Sequence, residues 1–361
     1  MKKHDFNKDR PTAEIAGRSS ARRRGPRWWR LAALGTLSAG LLLAGTGPLA
    51  ASAASSPVTL NIVGYSVVKN AFAALTAAYQ KTAAGKSVTF TQAYGPSGTE
   101  ASAVIAGQPA DLANLALEPD MAKLVAAGDV SKSWAAGTNK GMVTDSTVVF
   151  IVRKGNPDHI KSWADLVKKG ISVLTPNPFT SGGARWNILA AYGAERELGE
   201  SKAKAQAYLV DLFKHVPTQD SSASQALADF LSGTGDVLLD YEDDAIQAER
   251  AGAAITYVIP PQSILIQNPI AVVSKSKEPA AAKAFESFLL SADGQTIWAK
   301  QGFWPVDPAV AKKFHFAQPK TLFPIGYLGG WNSVVNDFFN PTTGIVAKVE
   351  QEVGQSTSSN G

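Results

Sequence analysis

The chain has 361 residues, 45% of them hydrophobic, no cysteine and a formal charge of +5 at pH 7. That is enough apolar chain for about two domains, and the lack of cysteine excludes disulfides, thiolate metal sites, a cysteine nucleophile and a lipid-modified cysteine anchor. The positive charge is local: residues 1–53 hold ten Lys/Arg and three acidic residues, which leaves residues 54–361 at −2, without a concentrated basic patch that would call for nucleic acid.

Arg22-Arg23-Arg24 and the stretch from Arg27 to Arg30 precede a charge-free apolar segment from Leu31 to about Ala44, then Pro48 and Ala51-Ser52-Ala53. This is the pattern of a secretory signal peptide over 1–53, with cleavage expected after Ala53. An uncleaved membrane anchor is the competing reading; the short apolar core and the small-residue site argue against it. Gly25-Pro26 follow the arginines where a twin-arginine signal has an apolar pair, which leaves the export route open.

After the leader, the periodicity predicts strands and helices in alternation. Val58 to Val63 reads as a strand, Ala71 to Lys81 as a helix, and Val88 to Gln92 as a strand ending at Gly95-Pro96-Ser97-Gly98. A helix from Thr99 to Ala106, a strand from Leu112 to Leu117, a helix from Pro119 to Ala127 and a strand from Val148 to Val152 follow. From Lys154-Gly155-Asn156-Pro157 the pattern restarts, with a helical Trp163 to Lys168 and a strand from Ser172 to Thr175. Helices from Ala184 to Leu198 and Ser201 to Lys214, a helix opened by Asp220-Ser221-Ser222-Ala223, and strands at Val237 to Asp240 and Ile255 to Ile259 complete this unit before Pro260-Pro261. Ala271 to Ser274 reads as strand, and Ala280 to Leu290, Asp293 to Gln301 and a segment near Trp331 to Phe339 as helices. Such alternation predicts an α/β protein with parallel-type sheets whose ligands sit beyond the carboxyl ends of the strands. Two such units predict two lobes and a cleft: 54–150 and the return 261–361 in the first, 151–260 in the second.

The centre of the pattern is Pro176-Asn177-Pro178-Phe179-Thr180-Ser181-Gly182-Gly183-Ala184-Arg185-Trp186-Asn187, a strand-loop-helix junction. Ser181 is a good N-cap, and the two glycines let a ligand approach first-turn N–H groups that have no helical partner. A helix N-terminus carries roughly half a positive charge, so a small oxyanion is stabilised there without lysine or arginine.

The junction and its companions together resemble the periplasmic sulfate-binding proteins of ABC-type uptake systems, which have the type II periplasmic binding fold. The matching stretches are Gly95-Pro96-Ser97-Gly98, Val149 to Pro157, Thr175 to Pro178, Ser181 to Asn187, Gly235-Asp236-Val237-Leu238 and Gly329-Gly330-Trp331, in the family's order over nearly the whole mature chain. The resemblance implies a two-lobed receptor that closes on one dehydrated sulfate, held by backbone N–H groups, a serine hydroxyl and an indole N–H. By motif position it implies Ser97 as the first-lobe contact, Ser181, Gly182 and Gly183 as the main second-lobe contacts, and Ala223 as a further N–H. The family's tryptophan falls at Tyr241, its first-strand aspartate at Ser66 and the arginine after the alanine at Ser224, so the support behind the contacts, where Gly98 and Arg185 also lie, is remodelled. Sulfate, thiosulfate and another tetrahedral oxyanion such as phosphate therefore all stay open. The implied partners are a membrane permease and its separate ATPase; a monomer without cofactor or metal is expected.

Each motif has a plainer reading. Ser181-Gly182-Gly183 could be only a cap and Ser97-Gly98 only a turn. Tyr241 could pack at the cleft edge, Arg185 should pair with a carboxylate behind the contacts, and Asp240, Glu242, Asp243 and Asp244 read as capping carboxylates at a helix start. Asp240 is the candidate proton acceptor if the anion is phosphate. An enzyme is not expected: Gly95-Pro96-Ser97-Gly98-Thr99 is no nucleophile elbow, the four histidines are dispersed, and no phosphate loop occurs. A protein that only contacts other envelope proteins is the remaining alternative. Because the implied contacts do not titrate, binding should change little from about pH 5 to 8.

Overall fold

The computed structural model describes residues 57–355; the leader expected over 1–53 lies outside them. The strands are β1 Val58–Tyr65, β2 Val88–Gly95, β3 Leu112–Asn114, β4 Met142–Arg153, β5 Val173–Leu174, β6 Val237–Tyr241, β7 Ile255–Val258, β8 Gln262–Val272, β9 Trp304–Pro305 and β10 Thr321–Phe323. The helices of the first half are α1 Lys69–Tyr79, α2 Ser97–Ile105, α3 Glu118–Ala126, α4 Gly182–Glu197, α5 Lys202–Lys214 and α6 Ala223–Leu231. They are followed by α7 Glu242–Arg250, α8 Pro279–Leu289, α9 Ala292–Lys300, α10 Pro308–Ala311, α11 Trp331–Asp337 and α12 Ile345–Val353.

The strands run in the order β2-β1-β3-β8-β4-β6-β5, with β10 on β8 and β7 and β9 on β4. β1 pairs in parallel with β2 and β3, and β5 in parallel with β6, as the strand-helix alternation predicts. β4 and β8 join these two groups. β4 pairs antiparallel with β8 from Met142 to Thr147, then with β6 and β7 from Val148 to Arg153, while the end of β8 pairs with β3.

These two crossing strands are longer than the sequence suggests: the expected Val148 to Val152 extends back to Met142, and the expected Ala271 to Ser274 is instead Gln262–Val272. Polar residues hid the extra length. Thr144 Oγ1 donates to Asn268 Oδ1 at 3.3 Å, Thr147 Oγ1 bonds Ser263 Oγ at 2.9 Å and the Ile264 carbonyl at 3.0 Å, and Ser263 Oγ donates to the Val148 carbonyl at 2.8 Å. All four of these side chains are buried, which is tolerable only because each is paired. Pro269 sits beside an irregularity in the pairing, where no ladder donor is required of it.

Aromatic side chains dominate the packing. Phe150 of β4 meets Trp163 edge-on at 4.8 Å, and Phe72 of α1 meets Trp298 of α9 at 5.4 Å, all four essentially inaccessible to solvent. Each contributes about 1.5–3 kcal/mol by burial, and an aromatic pair about 0.5–1.5 kcal/mol more. Trp163–Val167 is a 3₁₀ turn rather than an α-helix, closed by a capping box between Ser162 and Asp165.

Candidate anion-binding site

Four helix beginnings meet at the carboxyl ends of the strands. β1 runs through a 3₁₀ turn, Ser66–Val68, into α1; β2 runs into α2; the loop after β5 opens α4; and the loop before Ala223 opens α6. Between them lies a cavity lined by Tyr65, Ser66, Val67, Gly95, Pro96, Ser97, Ala116, Ser181, Gly182, Gly183 and Ala223. Its volume is small, about 10 Å³, a space that holds about one water molecule. No charged side chain lines it.

At α4 the capping grammar acts as the sequence predicts, with the helix starting at Gly182 rather than Ala184. Ser181 Oγ accepts the Ala184 N–H at 3.4 Å, and the Ser181 N–H goes to the Asn177 carbonyl at 2.8 Å. What remains for a ligand is the Ser181 hydroxyl proton and the N–H groups of Gly182 and Gly183. The glycines differ in what demands them. A Cβ on Gly182 would lie 2.6 Å from Ala116 Cβ and 2.9 Å from Leu117 Cδ2, so the facing strand group excludes any side chain there; one on Gly183 would meet nothing closer than 3.5 Å. At α6, Ser222 caps the Gln225 N–H at 3.2 Å and leaves Ala223 first in the helix.

Ser97 opens α2 two residues earlier than expected, with Pro96 as N-cap. Its hydroxyl donates to Asp120 Oδ2 at 2.7 Å and accepts the Ala116 N–H at 3.0 Å, so its backbone N–H is the donor it can offer. Asp120 is buried and paired with Lys123 at 2.8 Å. Three bonds draw α2, α4 and the β3 end together: Gly98 N–H to the Thr180 carbonyl at 3.2 Å, and Trp186 Nε1 and Asn268 Nδ2 to the Ala116 carbonyl at 2.9 and 3.0 Å.

Ser66, Ser97, Ser181, Gly182, Gly183 and Ala223 are thus brought together, while Gly98, Arg185, Ser224 and Tyr241 stand off the wall. Arg185 is not paired with a carboxylate, contrary to expectation; among the described residues its Nε donates to the Pro178 carbonyl at 2.8 Å and its guanidinium lies 4.9 Å over the Phe339 ring. Burial lowers its pKa and nearby Asp120 opposes that. Tyr241 is fully buried behind Gly183, with Cε1 3.6 Å from where a Gly183 Cβ would stand. Its hydroxyl lies beside Asn268 without a well-formed hydrogen bond, and burial, then Asp243, raises its pKa well above that of a free phenol.

The acidic run does open α7, where capping carboxylates are expected, but it is buried. Asp240, Glu242, Asp243 and Asp244 are buried, and none lines the cavity, so Asp240 is not placed to take a proton from a bound phosphate. The sequence did not single out Tyr65, Val67 or Ala116, and named Gly95 and Pro96 only as part of the Gly95-Pro96-Ser97-Gly98 stretch. Their place on the wall follows from strand ends and main-chain direction, for which side-chain type gives no signal.

The four helix starts direct four partial positive charges at one small cavity without a charged side chain on its wall, an arrangement that stabilises a small, fully ionised anion.

Residues 60–304 match the family model described as bacterial extracellular solute-binding protein. A sulfate-binding protein of Synechococcus elongatus is 37% identical over 322 residues, covering 86% of this chain and 91% of that protein. A thiosulfate-binding protein of Pseudomonas aeruginosa is 36% identical over 316 residues, covering 84% and 95%. Among solved structures, the sulfate-binding protein SubI from Mycobacterium tuberculosis H37Rv superposes with a TM-score of 0.77 at 41% identity, covering 78% of this chain and all of that one.

Proposed function

Since the chain belongs to the bacterial extracellular solute-binding proteins and has the type II periplasmic binding fold, we propose that it captures sulfate outside the cytoplasm and delivers it to the permease of an ABC transporter energised by a separate ATPase. In this reading 54–150 and 261–361 form one lobe, 151–260 the other, and β4 and β8 are the spans between them. Residues 1–53 are the export signal, and the protein acts as a monomer. It is a binding protein, not an enzyme.

The observation that supports sulfate is a cavity wall without a carboxylate and rich in donors: the hydroxyl of Ser181 and the N–H groups of Ser66, Ser97, Gly182, Gly183 and Ala223. Sulfate only accepts hydrogen bonds, whereas phosphate near neutral pH carries a proton that would face another donor, at a cost of about 1–3 kcal/mol. Thiosulfate satisfies the same donors, and the relative named for it is nearly as similar as the one named for sulfate. Closure excludes water, so the backbone dipoles act in a low dielectric. Titration calorimetry is the test: one-to-one binding of sulfate or thiosulfate at micromolar Kd or tighter, about −8 kcal/mol or better, is expected. Tight phosphate binding with no heat from either sulfur oxyanion would sink the assignment.

A further inference from the structure

Behind the cavity lies a buried group of carboxyls that anion capture does not use. Asp240 is near the end of β6, and Glu242, Asp243 and Asp244 open α7; Asp244 is 6% exposed and the other three at most 1%. Among the described residues none of the four is in an ion pair. Asp240 Oδ2, Asp243 Oδ2 and Asp244 Oδ2 have no hydrogen-bond partner at all. As carboxylates, such oxygens are buried charges without donors; as carboxylic acids they gain an O–H that a neighbouring carboxyl can accept.

The burial is made by both strand groups together. Asp243 Oδ1 accepts from Ser146 Oγ of β4 at 2.8 Å, and a Cβ on Gly302 would lie 3.0 Å from Asp243 Cα. Glu242 Oε2 accepts from Trp304 Nε1 of β9 at 2.6 Å. Asn70 of α1 bonds Gln247 of α7 at 3.1 Å, and Arg250 of α7 bonds the Lys300 carbonyl at the end of α9. So α7 is held against β4, β9, α1 and α9, and Tyr241 of β6 meets Tyr65 of β1 with ring centroids 6.1 Å apart.

Resting on the reading of the cavity as an anion site closed between two lobes, we infer that this cluster is a proton-binding site coupled to it: closure buries the carboxyls, they take up protons, and the anion is captured together with those protons. Burial pushes Glu242 and Asp243 up to about 7 and holds Asp240 and Asp244 well above the carboxylate range, with Asp240 adding to the rise at Asp244. The surrounding elements bring no cation into contact. β1 supplies Tyr65, β6 Tyr241 and β7 Tyr257; β4 carries Asp145, which burial raises to about 6; α7 itself has Glu249 and Arg250; and His315 lies across the recess outside Glu242. In the opened protein, water returns these groups toward the ordinary carboxylate value of about 4. Proton uptake on closure therefore spans the range between the open and closed values, and anion affinity falls as pH rises through about 7. This departs from the pH indifference that the cavity contacts alone predict.

The test is calorimetry of the purified protein with sulfate, whose own charge is constant here, at pH 7 in buffers of different ionisation enthalpy. The expected result is a binding heat that varies with the buffer, corresponding to about 0.5 proton or more taken up per sulfate, with Kd rising at least about threefold from pH 6 to pH 8. Asp240→Asn and Asp243→Asn should each reduce the uptake; the wild-type buffer series decides the matter if either variant fails to fold. Sulfate binding with a buffer-independent heat and a flat pH profile overturns the proton coupling while leaving the anion site standing. No heat with sulfate or thiosulfate at any pH overturns the anion site and the coupling with it.

Discussion

The anion cavity and the carboxyl cluster are buried polar regions separated by little more than Tyr241 and Gly183, and they solve the same problem in opposite ways. Burial penalises charge in both. The cavity answers with main-chain donors whose partial charges are permanent and cannot titrate, so it is prepared for a guest that brings a fixed negative charge. The cluster has carboxyls and too few donors, so the least costly state is the protonated one. A sequence rich in Asp and Glu beside a sequence rich in Gly and Ser thus encodes a region that responds to pH beside one that does not.

The largest effect should come from placing the cluster's chemistry inside the cavity. Gly183→Asp puts a carboxylate where a Cβ meets no atom closer than 3.5 Å, so it should fold, yet compete with the anion for the same N–H groups. Sulfate affinity should drop at least about a hundredfold, about 2.7 kcal/mol, with the melting temperature nearly unchanged; retained affinity would place the site elsewhere. Gly182→Asp should also abolish binding, though partly by wedging against Ala116 and Leu117.

Next is the stability of the sulfate-bound, closed protein. The closed-fold values of Glu242 and Asp243, about 7, lie above their unfolded values of about 4, so their contribution is fully present below about pH 4 and lost as pH rises through 7. Melting temperature in saturating sulfate should fall between pH 6 and 8.5, by a free energy on the order of a few kcal/mol, while the ligand-free protein should show a flatter slope. Asp243→Asn should flatten that slope; an unchanged slope would remove Asp243 from the titrating set.

Ser181→Ala should be milder, removing a hydroxyl donor and a cap together. Sulfate affinity should weaken about tenfold and stability by about 1 kcal/mol, read from calorimetry and thermal melts. The smallest effect belongs to the residue between the two regions. Tyr241→Phe should leave sulfate affinity within about twofold, since an unformed hydrogen bond has little to lose. A tenfold loss would show that the Tyr241 hydroxyl reaches the anion after all.

What the sequence made legible was what side-chain type controls. Ser181 before two glycines announces a cap and a close approach, and the structure has both. The alternation of strands and helices was visible because apolar runs mark it. The first half of β4 and most of β8 were not, because Thr144, Thr147, Ser263 and Asn268 read as loop residues until their partners on the other strand are known. Arg185 was expected to find a carboxylate and found a carbonyl and a ring, since a buried guanidinium is served by either. The acidic run read as capping carboxylates, and its burial was hidden for the same reason as the length of β4: burial is decided by segments distant in the chain.

The main-chain origin of the cavity's donors has a consequence for heredity. Nearly every donor belongs to the peptide repeat that all residues share, so no exchange of one amino acid for another can delete it, apart from proline. Side chains around the wall can drift while the recognising atoms persist. A saturation scan of residues 95–98, 181–184 and 222–224 scored by anion uptake should return a sparse map: loss where bulk or charge is introduced at Gly182 and Gly183, partial loss at the capping serines, and broad tolerance at Ala223 toward small residues.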